Sequence, residues 1–403
     1  MTSYASPAEI LKRPLELPCG AILKNRLAKS SMSDSLGDGE GNPTEAQIRL
    51  YEKWADGEAA VSFIGEVQVE PGYPEKPGNL VFGEHSNNSA LESLTRRAVI
   101  RNAHLWAQLG HAGALAHEPV SQPKGPSPID VEGLQCEGMS AEEIQQLPAL
   151  YARAASHAKM TGFSGVHIHA GHGFLLSQFL SPLFNKRTDG YGGSIEGRSK
   201  IVLEIIDAVR NSVGAAFPVG IRLNSTDQLE GGLTETDALE VVRLLDRTSI
   251  DLIDVSGGTY FPGAKASSDG TGKGPYFLEF ARSAKGVTNV PVMLTGGFKT
   301  RDQAVDSISS GATDLIGLAR AMVMNPGLAE TWLSDQGGDP DFPRFESTVP
   351  GGVTAWYTMR LTAIGEDTEE LFEMDLASAL RVYEERDAER SIRWNQSFAG
   401  RHL

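Results

Sequence analysis

Cysteine is scarce in this sequence: Cys19 and Cys136 are the only two among 403 residues, far apart and in no Cys-x-x-Cys arrangement. That scarcity excludes a disulfide framework and a thiolate metal site, and it fits a cytoplasmic chain with free thiols. Long apolar runs are also missing. Nowhere do 18 apolar residues follow one another, and Met1 to Arg13 holds no basic stretch leading into an apolar one, so neither membrane spanning nor export is expected. Nor is there a dense run of Lys and Arg. With a formal net charge of −16, the chain lacks the means to neutralise a line of phosphates, which argues against a nucleic-acid partner and leaves a small-molecule one.

What is present is a composition that can build a sizeable core, 40% hydrophobic and 22% charged. From about Arg26 a short apolar, β-branched run alternates with a longer amphipathic stretch, roughly eight times. This is the pattern of a parallel sheet with helices outside it. Strands are expected at Arg26–Met32, Ala59–Val67, Ala103–Leu109, Gly165–His169, Val219–Leu223, Leu252–Val255, Val290–Leu294 and Asp314–Gly317. Eight of them suit a closed (β/α)8 TIM barrel of the α/β class, assigned to residues 1–335. Ser140-Ala141-Glu142-Glu143 is a capping box opening a helix to about Met160, which Gly162 stops. A second helix from about Gly193 to Val213 shows Ile201, Ile205, Ala208 and Val209 on one face. Leu15-Glu16-Leu17 and Ala21-Ile22-Leu23 flank Pro18-Cys19-Gly20 as a hairpin that would plug the barrel floor. Ala114–Gln135, rich in Pro, Gly and Ser, reads as a long loop at the end of the third strand. Residues 336–403 form a C-terminal extension with a helix around Glu369–Arg390, expected to pack on the barrel or on a partner subunit of a homo-oligomer.

Three segments carry chemistry. In Val166-His167-Ile168-His169-Ala170-Gly171-His172-Gly173-Phe174 an apolar strand delivers His169 and His172 to the barrel mouth, where reactive groups converge. Two imidazoles there can donate N–H bonds to a carbonyl oxygen or phenolate and stabilise charge that develops on it. His167-x-His169 also resembles the ligand pair of metal-dependent barrel hydrolases. After His172, however, the only histidine is His402, which leaves such a metal short of ligands. The second segment joins Thr295-Gly296-Gly297 to Gly317-Leu318-Ala319-Arg320, where glycines after two strands let backbone amides approach a phosphate and Arg320 adds charge. In the third, Val219-Gly220-Ile221-Arg222-Leu223-Asn224, a guanidinium lies in a strand the barrel should bury. It needs an anion, either a ligand's or a carboxylate such as Asp254 or Glu66.

Together with Arg187-Thr188-Asp189-x-Tyr191-Gly192-Gly193-Ser194, the run from His169 through Leu175-Leu176-Ser177-Gln178-Phe179-Leu180-Ser181-Pro182 resembles the old yellow enzyme family of FMN-dependent ene-reductases, over about Pro14 to Glu330. The resemblance implies bound FMN, NADH or NADPH as electron donor, and ping-pong hydride transfer through the flavin N5 to an activated C=C bond. It also implies residue roles. His169 and His172 would hold the substrate's activating group, while Arg222 and Gln108 would meet the flavin's pyrimidine edge. Ser31, Met32 and Ser33 would lie under the flavin, and Gly296, Gly297 and Arg320 would contact its phosphate.

Departures from the family pattern mark the substrate pocket. Phe174 stands where most members have a proton-donating tyrosine, so the proton must come from another group, with Tyr260, Tyr73 or water as candidates. Ser33 replaces a redox-tuning cysteine, Ser35 a pocket tyrosine and Ala114 an arginine. The missing tyrosine also fits an amine or N-methyl oxidising enzyme of the same family; a barrel retaining FMN as a structural or sensing group without turnover is a separate alternative. Larger relatives add an iron–sulfur site, for which two cysteines are too few. The single-barrel form is therefore expected.

Overall fold

The computed structural model describes residues 6–264, 274–334, 337–345 and 349–399. The boundary expected between residues 335 and 336, and His402, lie outside them. Eight parallel strands run in chain order: β1 (Leu27–Lys29), β2 (Val61–Gln68), β3 (His104–Gly110), β4 (Gly165–Ala170), β5 (Val219–Asn224), β6 (Leu252–Ser256), β7 (Val292–Thr295) and β8 (Leu315–Leu318). The barrel closes where β1 pairs with β8 on one side, Ile316 opposite Leu27, and with β2 on the other, Ala28 opposite Val61. Every residue of β5, β6 and β7 is buried, as expected of strands covered by side chains within and helices without.

The floor is filled as expected. Leu15–Glu16 pairs antiparallel with Ile22–Leu23, and Leu15, Leu17 and Leu23 join Phe63, Trp106, Met293 and Leu315 in one apolar cluster. Trp106 occupies space that two glycines concede. A Cβ on Gly165 would stand 2.6 Å from its indole, and one on Gly220 3.0 Å.

Helix α1 spans Glu45–Asp56, α2 Ala141–Met160 and α3 Ile195–Val213. In α2 the Ser140 hydroxyl accepts from the Glu143 amide while Glu143 reaches back to the Ser140 amide, the reciprocal cap read from the sequence. Ser140→Ala is expected to lower stability by about 1 kcal/mol, read as a shift in the urea midpoint with unchanged slope. In α3, Ile201, Ile205 and Val209 are buried, but Ala208 is only half-buried.

Two expectations are corrected. The stretch 114–135 is not a plain loop: Lys124–Gly125, Ile129–Val131 and Leu134–Gly138 form a small three-stranded sheet, with strands too short for alternation to register. The extension holds two long helices, α4 (Gly352–Gly365) and α5 (Leu376–Phe398), instead of one around Glu369–Arg390. Helix α4 buries Ala355, Trp356, Tyr357, Met359, Leu361 and Ile364 around most of its circumference. A helix buried around most of its surface leaves no clear stripe in the sequence. The extension lies on its own barrel: the Trp394 indole donates to the Pro71 carbonyl (3.2 Å), Arg49 of α1 donates to the Gly365 carbonyl (2.7 Å), and Arg390 donates to the Ser35 carbonyl. No helix among the described residues is long and apolar enough to cross a membrane.

Candidate functional site

The C-terminal ends of β4, β5 and β6 bring the expected histidines together. His169 lies at the end of β4 and His172 follows in the turn, with Nε2 of His169 3.2 Å from Nδ1 of His172. His172 adopts a φ of 58°, unusual for a residue with a side chain. The Asn224 carboxamide from β5 holds it there, accepting from the His172 amide (2.9 Å) and donating to the Gly258 carbonyl (2.9 Å). Gly171 and Gly173 make this possible: a Cβ on Gly171 would meet the Asn224 carboxamide at 3.0 Å, and one on Gly173 would fall 1.9 Å from the Thr259 hydroxyl. Nε2 of His172 is 3.0 Å from the Ser256 hydroxyl on β6. Burial, followed by the nearby Arg222 charge, pushes both imidazoles well below their ordinary range, so both are neutral at pH 7.

Arg222 is 2% exposed, and its anion is found within the chain. Nε donates to Asp254 Oδ2 (2.7 Å) and Nη2 to the Ser30 hydroxyl (2.6 Å), while Thr295 donates to Asp254 Oδ1 (2.7 Å). Of the alternatives open in the sequence, Asp254 is the partner, its position set by the register that aligns Arg222 with Asp254 between β5 and β6. A ligand's charge is not needed to account for the buried guanidinium. Gln108 lies one level below the pair, its amide nitrogen 3.1 Å from Nδ1 of His167. His167 is therefore turned into the barrel beside Gln108, and no cluster among the described residues is arranged to hold a metal ion.

A flavin mononucleotide fits the remaining groups. Ser31 Oγ is buried without a hydrogen-bond partner. Met32, Ser33, Gly296, Gly297, Ala319 and Arg320 are partly open to solvent around the mouth. Gly296 and Gly297 turn the chain after β7 with φ of 115° and 84°. A Cβ on Gly297 would strike the Gly274 carbonyl at 2.4 Å, and one on Gly317 the Thr295 hydroxyl at 2.1 Å. The ends of β7 and β8 thus present bare backbone beside the Arg320 guanidinium, a setting that suits a phosphate.

Of the expected pocket residues, Phe174, Tyr260 and Tyr73 gather near the histidines. The Phe174 ring centroid is 5.0 Å from that of His169 and 5.9 Å from that of Tyr260, and Phe174 and Tyr73 share an apolar cluster. Tyr260 is 65% exposed at the rim. Ser35 is the exception. Helix α5 covers it, with Asp387 3.5 Å from its hydroxyl, leaving it 1% exposed and unable to line an open pocket. Glu66, Asn224 and Ser256 escaped the sequence reading as parts of the histidine site. Glu66 left a signal, being the one carboxylate in the wholly buried strand β2. Its Oε1 lies against Nδ1 of His169.

Comparison with known proteins identifies the family of the chain. The profile of the NADH:flavin oxidoreductase / NADH oxidase family matches residues 11–336. The chain is 33% identical over 351 residues to the NADH-dependent flavin oxidoreductase iliE of Hypocrea jecorina, covering 79% of this chain and 87% of that one. It is 34% identical over 387 residues to the protein so named in Neonectria sp., covering 87% of this chain but only 50% of the other. Among solved structures, a 2-naphthoyl-CoA reductase complex superposes with a TM-score of 0.75 at 26% identity, over 80% of this chain and 52% of that one.

Proposed function

The chain belongs to the NADH:flavin oxidoreductase / NADH oxidase family, FMN-dependent oxidoreductases drawing on NADH or NADPH, and from that premise we propose that it reduces carbon–carbon double bonds conjugated to a carbonyl. The observation behind this reading is the pair of neutral imidazoles facing each other at 3.2 Å in the barrel mouth. A carbonyl oxygen within reach of both His169 and His172 accepts N–H bonds that strengthen as negative charge builds on it. When bound, FMN supplies the transfer of hydride from nicotinamide to the substrate's β-carbon. Gln108 and Arg222 are assigned to its pyrimidine edge, Ser31, Met32 and Ser33 to the ring beneath, and Gly296, Gly297, Gly317, Ala319 and Arg320 to its phosphate. Phe174, Tyr73 and Tyr260 wall the substrate.

The test is an anaerobic visible spectrum of the holoenzyme, with NADH and NADPH added in turn and cyclohexenone last. Flavin bands that bleach and then return with the enone are expected. Bands that return only with oxygen would overturn the enone reading. A second reading, oxidation of an amine, draws on Glu75, whose Oε2 is buried without a partner and whose carboxyl is pushed up to about 7 by burial and by Glu66. Its carboxylate form would attract an ammonium group. Bleaching by an amine but not by nicotinamide would favour that reading.

Phe174 offers no proton to the substrate's α-carbon. Phe174→Tyr is expected to speed enone-driven reoxidation by about tenfold, below the usual range for a well-placed general acid because the new hydroxyl is not aligned by its surroundings. Stopped-flow absorbance measures it.

A further inference from the structure

Behind the histidine pair stands a buried carboxyl, Glu66, that the reaction as proposed does not use. Glu66 is 5% exposed on β2, with Oε1 against Nδ1 of His169. Nδ1 of His169 has no aligned hydrogen-bond partner, so this carboxyl is what it meets. The other oxygen, Oε2, lies over Gly110 of β3, where a Cβ would come within 1.9 Å. Gly110 thus makes the room Glu66 occupies. Beyond His169 the contacts continue through His172 to the Ser256 hydroxyl at 3.2 and 3.0 Å.

Counting hydrogens along this chain gives Glu66 a task. A neutral imidazole has one N–H and one lone pair. With nothing between the rings, a single hydrogen satisfies the His169–His172 contact. An oxygen that touches both nitrogens from beside that contact needs two, one from each ring. His172 can present Nδ1–H because the Ser256 hydroxyl can donate to its Nε2. His169 can present Nε2–H only if its Nδ1 is supplied with a hydrogen by Glu66. A carboxylic acid supplies it. A carboxylate instead takes the Nδ1 hydrogen and leaves a lone pair on Nε2 facing the substrate oxygen.

We propose that Glu66, held as the carboxylic acid, is the positioning residue that keeps the hydrogen of His169 on Nε2 and so makes the histidine pair a two-donor site for a carbonyl oxygen. The proposal rests on the reading that a carbonyl binds there. One proton on the Glu66–His169 pair does the work wherever it resides, and its loss turns donor into acceptor. Burial raises the Glu66 carboxyl to about 8, against the opposing charge of Arg222 on β5. Glu75 from the loop after β2 faces the same group, as do the phenols of Tyr151 on α2 and Tyr260 after β6; burial is the main cause that raises all three, and a charge on Glu66 adds to it. His169 is displaced the other way, by burial and then Arg222, so the pair is neutral and singly protonated at pH 7. The two-donor state is therefore present below the raised Glu66 value and lost above it.

The test uses oxidised FMN-loaded enzyme and acetophenone, a carbonyl ligand that carries no ionisable group and no reducible alkene, with binding followed by perturbation of the flavin absorption between about pH 6 and 9.5. The wild-type dissociation constant is expected to be flat at low pH and to rise about tenfold per pH unit above the Glu66 transition. Glu66→Gln, whose amide can donate to Nδ1 at every pH, is expected to remove that alkaline rise while retaining flavin. Binding with no alkaline rise in the wild type, or with the same rise in Glu66→Gln, overturns the role of Glu66 alone. Absence of binding at any pH overturns the carbonyl reading and this proposal with it. Should Glu66→Gln not fold, nitrogen-15 spectra of histidine-labelled wild type decide: hydrogen on Nε2 of His169 at low pH and on Nδ1 at high pH supports the proposal, and a tautomer that does not change overturns it.

Discussion

His169→Ala is expected to slow reoxidation of the reduced enzyme by cyclohexenone about 10²- to 10³-fold, equivalent to about 2.7–4 kcal/mol of lost stabilisation at the barrier. The loss is large because the site is dry. His169 is 2% exposed, so water cannot readily replace its N–H as charge grows on the carbonyl oxygen. His172 alone would leave that oxygen with half its donors. His169→Asn, which restores an N–H without the ring, should recover part of the rate. Stopped-flow traces at saturating enone separate this effect from weakened binding. A rate within about threefold of wild type in His169→Ala would mean that no carbonyl lies between the imidazoles.

Asp254→Ala should unfold the barrel mouth more readily than any surface change, by about 3–5 kcal/mol, because it strands a buried guanidinium. Arg222 would keep Ser30 as an acceptor but lose its paired carboxylate, and the Thr295 hydroxyl would lose the oxygen it donates to. Urea unfolding of the FMN-free protein measures the cost. The double variant Arg222→Met with Asp254→Leu separates structure from cofactor binding: similar apolar volume should return much of the stability. FMN affinity should stay low if Arg222 touches the flavin, and should recover if the ion pair serves the fold alone.

Much of the fold was legible because burial on both faces forces apolar, β-branched runs, and eight such runs name a barrel. The histidine turn was legible for a related reason, since Gly173 takes a positive φ and a Cβ there would fall 1.9 Å from the Thr259 hydroxyl, while one on Gly171 would press on the Asn224 carboxamide at 3.0 Å. Lone charges in buried strands were visible too, in Arg222 and in Glu66. Their partners were not. Choosing Asp254 for Arg222 takes the β5–β6 register, and setting Glu66 beside His169 takes the curvature that brings the ends of β2 and β4 together across the mouth. Ser35 misled for the opposite reason, because its neighbour Asp387 is 352 positions away in a helix whose docking nothing local announces. Helix α4 went unread because a segment buried around most of its circumference shows too narrow a polar face to reveal its period.

The docking of α5 has a bearing on how the protein is made. Synthesis on the ribosome proceeds from the N-terminus, and β8 can zip onto β1 before the residues of α5 have been added. The ring of strands can then be complete while the wall beside Ser35, Pro71 and Val81 still lacks the helix that seals it, since Arg390, Trp394 and Phe398 are added well after β8. A nascent chain paused after α4 would therefore present a closed cylinder with one raw apolar edge beside Val81 and Val120, and that edge is where a chaperone would be expected to hold it.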